Sequence, residues 1–90
     1  MEHTVEIVET PHMGFEPEAL TVVVGDTVVW VNKGSIDHTA TRDDDPPFDT
    51  GDIAAGNSSA PLTFDTPSEG LDYACAIHPH MKGEIIVTEA

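Results

Sequence analysis

The sequence predicts an all-β fold, a Greek-key β-sandwich of seven or eight strands, and three observations lead there. The apolar residues are rich in Val and Ile and come in short runs separated by Gly, Pro and Asp, the composition of half-buried strands joined by turns. No segment of useful length carries apolar residues at helical spacing. The runs recur at the short intervals of sandwiches and barrels. Ninety residues without a repeat, linker or low-complexity stretch are expected to make one domain, residues 1–90.

Residues 4–9 largely alternate polar and apolar, with Val5 and Ile7 on one face, and read as a first strand. Residues 10–14 form a loop, Phe15 anchors the core and Pro17 ends a turn. Residues 20–24 are a β-branched run, and residues 27–32 return as Thr-Val-Val-Trp-Val-Asn after Gly25-Asp26, so the two are expected to pair as a hairpin. Trp30 within the second run is the large residue of the core. A turn at 33–35 leads to a short strand over 36–41 that contains His38. Residues 42–59 are rich in Asp, Gly, Pro and Ser and read as a long surface connection anchored by Phe48 and Ile53, with room for one short strand or helical turn. Residues 61–65 resume β patterning through Leu62 and Phe64. Residues 67–70 turn the chain into 71–75, where Leu71, Tyr73 and Cys75 share a face at period two. Gly83 opens a last strand, 84–89.

Charge and cysteine usage narrow the function classes. Against 17 acidic residues stand 3 basic ones, a formal net charge of −14. That field repels nucleic-acid phosphates and anionic lipid heads, so neither is an expected partner. It favours a basic protein partner at low salt, and it equally suits a plainly solvated acidic surface or solubility at high salt. No apolar run approaches the roughly 20 residues that span a bilayer. One cysteine closes no internal disulfide, and a bound metal would occupy the otherwise unpaired thiol. Residues 1–4 run straight into a strand pattern, without the basic and apolar regions of a signal peptide.

The densest chemistry lies at Tyr73-Ala74-Cys75-Ala76-Ile77-His78-Pro79-His80-Met81-Lys82-Gly83. Cys75, His78 and Met81 recur every three residues on one short loop. A thiolate, an imidazole and a thioether together suit copper. An electron-shuttling copper site adds a second imidazole, for which His3, His12, His38 and His80 are candidates. His80 is separated from His78 only by Pro79 and would reach the same ion only by distorting the loop. His38 is favoured, because a ligand from a distant strand lets the ion cross-link two halves of the fold. Taken singly, Cys75 is a buried core thiol, Met81 core filler and His38 a structural histidine; the ordered set argues against those separate readings. His3 and His12 are assigned no function.

Three stretches carry a family resemblance: residues 15–32, Asp37-His38-Thr39, and residues 73–83, with Phe48-Asp49-Thr50-Gly51 between them. Together they resemble the small cupredoxins, the plastocyanin and amicyanin group of type 1 blue-copper proteins, and the short Cys-x-x-His-x-x-Met loop is most like amicyanin. The resemblance implies a cupredoxin-like sandwich holding one type 1 copper, with His38, Cys75 and His78 as equatorial ligands and Met81 as the axial one. It also implies a one-electron carrier rather than an enzyme. Such a carrier would act as a monomer between a protein electron donor and acceptor, in an extracytoplasmic compartment (periplasm or cell-surface side), with His78 as the electron exit. Met13, Ile36, Ile53 and Pro79 are expected to surround that exit as an apolar docking patch.

Departures from the pattern are specific. Thr39 stands where relatives often have Asn, so the tie between the two ligand loops is expected to be weaker or rerouted. Ile77 stands where amicyanin-like loops tend to carry Pro and keeps a backbone N–H, which is expected to reach the thiolate sulfur and raise the reduction potential. His80 replaces an aromatic and reads as an exposed neighbour of the site, with pH-sensitive docking as its functional reading. The run Asp43-Asp44-Asp45 is a solvated turn or a docking element for a basic partner. Two other functions use the same residues: a copper carrier or storage protein, and an accessory domain of a larger redox enzyme.

Overall fold

A computed structural model describes all 90 residues, and it contains strands, turns and bends but no helix. Nine strands follow in chain order: β1 Glu2–Val8, β2 Gly14–Glu16, β3 Ala19–Val23, β4 Asp26–Asn32, β5 Thr41–Arg42, β6 Phe48–Asp49, β7 Leu62–Phe64, β8 Ser68–Ala74 and β9 Lys82–Thr88. They form two sheets, ordered β2-β1-β4-β7 and β3-β9-β8-β5-β6. The count exceeds the expected seven or eight because β5 and β6 are two residues each, too short to leave a periodic signal.

The expected hairpin of residues 20–24 and 27–32 does not form. β3 pairs in parallel with β9, as Thr21 opposite Ile86. β4 pairs in parallel with β1, as Val5 opposite Trp30. Val24 N–H still donates to Thr88 O at 2.9 Å, whereas Thr27 N–H already donates to Met1 O at 3.0 Å. The chain therefore crosses from one sheet to the other within two residues. Gly25 takes φ 91° there, a left-handed conformation that costs other residues more. The carboxylate of Asp26 holds the corner, accepting from Val23 N–H at 3.0 Å and bonding His3 Nε2 at 2.9 Å. Only Val22 of β3 is buried, as suits a sheet edge, while β4 buries every second residue. Both runs read alike in sequence because each is Val-rich with one inward face.

Between the sheets lies one core of 15 buried residues, including Val5, Ile7, Phe15, Val22, Trp30, Tyr73 and Ile85. Trp30 on β4 and Tyr73 on β8 join the sheets, with ring centroids 5.5 Å apart and edge-on. Trp30 Nε1–H donates to the Tyr73 hydroxyl at 3.1 Å. Phe15 meets Tyr73 edge-on at 4.7 Å and Phe48 stacks on Trp30 at 5.8 Å, each such pair contributing about 0.5–1.5 kcal/mol beyond buried area. Leu71, Tyr73 and Cys75 are all buried, as their shared face requires.

Beyond β4 the chain is fixed by one side chain. Asn32 is fully buried, and its amide donates to Ile36 O and Ile53 O, both at 2.8 Å, while its oxygen accepts from Gly34 N–H at 2.8 Å. The strand expected over 36–41 reduces to a single antiparallel bridge between His38 and Ile53 before β5 begins at Thr41.

Candidate metal centre

His38 reaches its place through the backbone. Its N–H donates to Ile53 O at 3.2 Å and its carbonyl accepts from Ile53 N–H at 2.8 Å. The side chain is fully buried, and its Nε2 lies 2.9 Å from Glu9 Oε2. A carboxylate only accepts, so the proton of the neutral ring sits on Nε2 and Nδ1 keeps its lone pair.

Cys75 follows the last residue of β8, and the loop after it is closed by its own backbone. Cys75 N–H donates to Met81 O at 3.1 Å and Met81 N–H donates to His78 O at 2.9 Å. Cys75 Sγ is then 3.9 Å from His38 Nδ1 and 3.7 Å from His78 Nδ1, and the two imidazole centroids are 5.0 Å apart. All three ligand atoms lie within 4.8 Å of one another. Taking zinc's distances as the measure for a first-row ion, sulfur at about 2.3 Å and nitrogen at about 2.1 Å from one metal, about 120° apart, are separated by about 3.8 Å. The observed 3.7 and 3.9 Å bracket that separation. A thiolate with two imidazoles is also the donor chemistry that soft and borderline ions such as copper prefer, so the residues fit the metal the sequence points to. Met81 is buried at the same turn, 1% exposed.

Two contacts join the loops. Thr39 N–H donates to Cys75 Sγ at 3.3 Å, and Ala76 N–H donates to Thr39 Oγ1 at 2.8 Å. Thr39 therefore makes the inter-loop tie directly, with Thr41 Oγ1 2.9 Å from its hydroxyl and Thr41 donating in turn to Asp49 at 3.1 Å. The sulfur receives the Thr39 amide in place of the expected Ile77 N–H; Ile77 points outward and is 48% exposed. Burial pushes the Cys75 thiol up, but hydrogen bonds to the sulfur, led by that of the Thr39 amide, outweigh it and bring it down to about 6. The hydrogen bond from His38, then those from the Ser35 hydroxyl and amide, hold Glu9 down at about 2.

Of the other histidines, His80 is exposed with its ring 6.3 Å from that of His78, outside the cluster. His12 is exposed on its loop, and His3 bonds Asp26 at the sheet-crossing corner. His78 is the partly exposed member of the triad. Around it the expected apolar patch changes: Ile36 and Pro79 are exposed and Met13 half-buried, but Ile53 is 3% exposed because its backbone pairs with His38, so it cannot touch a partner. Ile77 belongs to the exposed set instead. Just before the acidic run, Arg42 gathers the carbonyls of Asp72, Pro46 and Asp45 at 2.9, 3.0 and 3.3 Å. Sequence reasoning missed Glu9 and Asn32, whose only sequence signal is a polar residue at each strand's end.

Comparison with known proteins points the same way. The family profile described as copper-binding proteins, plastocyanin/azurin family, matches residues 1–88. Amicyanin of Paracoccus denitrificans is 31% identical over 90 residues, a match that takes in 90% of this chain and 63% of that protein. Amicyanin-alpha of Methylorubrum extorquens is 26% identical over 83 residues, 89% of this chain and 69% of that one. The chain thus spans less than two thirds of the length of the Paracoccus relative. Among solved structures, a copper(I) form of an amicyanin point mutant superposes with a TM-score of 0.83 at 27% identity, covering 93% of this chain and 79% of its own. An oxidised amicyanin mutant gives 0.82 at 28% identity with the same coverage.

Proposed function

The chain belongs to the plastocyanin/azurin family of copper-binding proteins, and from that premise we propose that it is a one-electron carrier whose copper would be held by His38, Cys75, His78 and Met81. The observation that carries the reading is the convergence of Cys75 Sγ and the two Nδ1 atoms, at 3.7 and 3.9 Å, from two separate loops. Copper bound there supplies one-electron exchange between Cu(II) and Cu(I). The protein's part is to keep the donors still, so that little rearrangement accompanies the change of charge. His38 is pinned at its backbone by Ile53 and at its ring by Glu9. Cys75 is pinned at its backbone by Met81 and at its sulfur by Thr39. His38, Cys75 and Met81 are buried, which excludes water, and the partly exposed His78 is the route to a partner, with its chain neighbours Ile77 and Pro79 exposed beside it.

A single domain of this kind transfers electrons between a protein donor and acceptor, acts as a monomer and performs no substrate chemistry at the metal. The family resemblance supports an extracytoplasmic location. The charge of −14 favours basic partners. A copper carrier or storage protein needs an ion that leaves readily, and the doubly tied, buried donors oppose that. Voltammetry of the copper-loaded protein in the presence of a competing Cu(I) chelator tests the reading. One reversible one-electron wave, with copper retained, is expected; loss of copper to the chelator on reduction would show a metal carrier instead.

A further inference from the structure

Glu9 is not itself a metal donor, but its carboxylate bonds the ring of a candidate ligand, His38. It follows β1, 29 residues before His38 in sequence, on a loop that carries no ligand. Four donors converge on its carboxylate: Ser35 N–H at 2.9 Å, Ser35 Oγ–H at 2.9 Å, Ile36 N–H at 3.3 Å and His38 Nε2 at 2.9 Å. Three of them meet on Oε2 alone. The carboxylate reaches this position by passing where a side chain would otherwise stand. A Cβ built on Gly34 would collide with Glu9 Oε2 and come within 2.5 Å of its Cδ and 2.8 Å of its Cγ. Gly34 is held at that approach by its own N–H, which donates to the buried Asn32.

We propose that Glu9 is the positioning residue of the metal centre, setting the tautomer and ring plane of His38 from a separate loop, and that Gly34 is the gap that admits it. His38 is fully buried, so with Glu9 in place no water competes with the carboxylate as acceptor for Nε2–H. With that proton committed to Glu9, Nδ1 is left to face Cys75. An anionic acceptor on the far side of an imidazole also strengthens it as a donor, which favours the more highly charged, oxidised ion. The second part rests on the electron-carrier reading above; the first does not.

The test begins without copper. Two-bond 1H–15N correlation spectra of the copper-free, 15N-labelled protein are expected to show His38 as the Nε2–H tautomer. Glu9→Gln keeps a carbonyl oxygen for that proton and retains the pattern, whereas Glu9→Ala gives mixed tautomers. Gly34→Ala, which displaces Glu9, gives the same mixing, and the double variant Glu9→Ala/Gly34→Ala is no worse than Glu9→Ala alone, as coupling through one contact requires. An Nε2–H signal unchanged by Gly34→Ala and Glu9→Ala, or an Nδ1–H tautomer in the unaltered protein, overturns the proposal. Should Glu9→Ala not fold, Gly34→Ala decides. In the copper-loaded protein Glu9→Gln shifts the potential positive, and no shift overturns the electronic part. If the tautomer results hold but no reversible wave is found, the positioning role stands and the electron-carrier reading falls.

Discussion

Cys75 and Thr39 show how much a few hydrogen bonds decide at the level of single residues. Brought down to about 6 against an ordinary value of about 8.5, the Cys75 thiol is expected to ionise at neutral pH before any metal arrives. Thiolate ultraviolet absorbance of the copper-free protein should therefore titrate with a midpoint near 6. Because the folded value is the lower one, folding is stabilised fully above about 8.5, progressively less as pH falls, and not at all below about 6. Urea midpoints of copper-free protein should rise with pH across that window, and Cys75→Ser should flatten the rise. Thr39→Val removes the acceptor for Ala76 N–H and should destabilise the copper-free protein by about 1–2 kcal/mol in urea denaturation, with Thr39→Ser restoring most of it. His38, Cys75, His78 and Met81 could be proposed as donors from the sequence because thiol, imidazole and thioether announce their chemistry and three of them sit on one loop. The donor to the sulfur could not, since it is a backbone amide whose residue type is irrelevant. Glu9 could not either: one acidic residue among 17 is distinguished only by what it touches.

At the scale of elements, what matters is which strands the two sheets share out. Residues 20–24 and 27–32 were legible as strands but not as members of opposite sheets, because a Gly-Asp corner crossing the sandwich and a Gly-Asp hairpin turn have the same composition. Parallel pairs such as β1 with β4 and β3 with β9 join segments far apart in sequence, and alternation of polarity says nothing about a strand's neighbours. Shared inward faces were legible, however, and Leu71, Tyr73 and Cys75 lead directly from core to site. The bond from Trp30 to Tyr73 ties β4 to β8 across the core, immediately beneath the ligand-bearing end of β8. Tyr73→Phe leaves the buried indole N–H without a partner and should cost about 1–3 kcal/mol of folding stability, measured by denaturant unfolding. Loss of less than about 0.5 kcal/mol would mean that this bond does not brace the sheets.

For the whole molecule, the acidic surface and the buried centre pull on stability in different ways. The radius of gyration is 12.1 Å, as compact as the roughly 12 Å typical of 90 residues, so a charge of −14 does not swell the fold. Self-repulsion nonetheless opposes folding, and salt shortens its reach to about 8–10 Å near physiological strength. The thermal midpoint of the copper-free protein should climb with sodium chloride from low salt and level off, whereas a flat response would show that the charges are already compensated. The central claim is that this small sandwich holds a thiolate and two imidazoles around one copper for electron transfer. Its most direct test is the visible spectrum of the copper-loaded protein. An intense thiolate-to-Cu(II) band that vanishes on reduction, returns on reoxidation and is absent in Cys75→Ser is the predicted result. A colourless protein that takes up only Cu(I) and hands it to an acceptor would contradict the account.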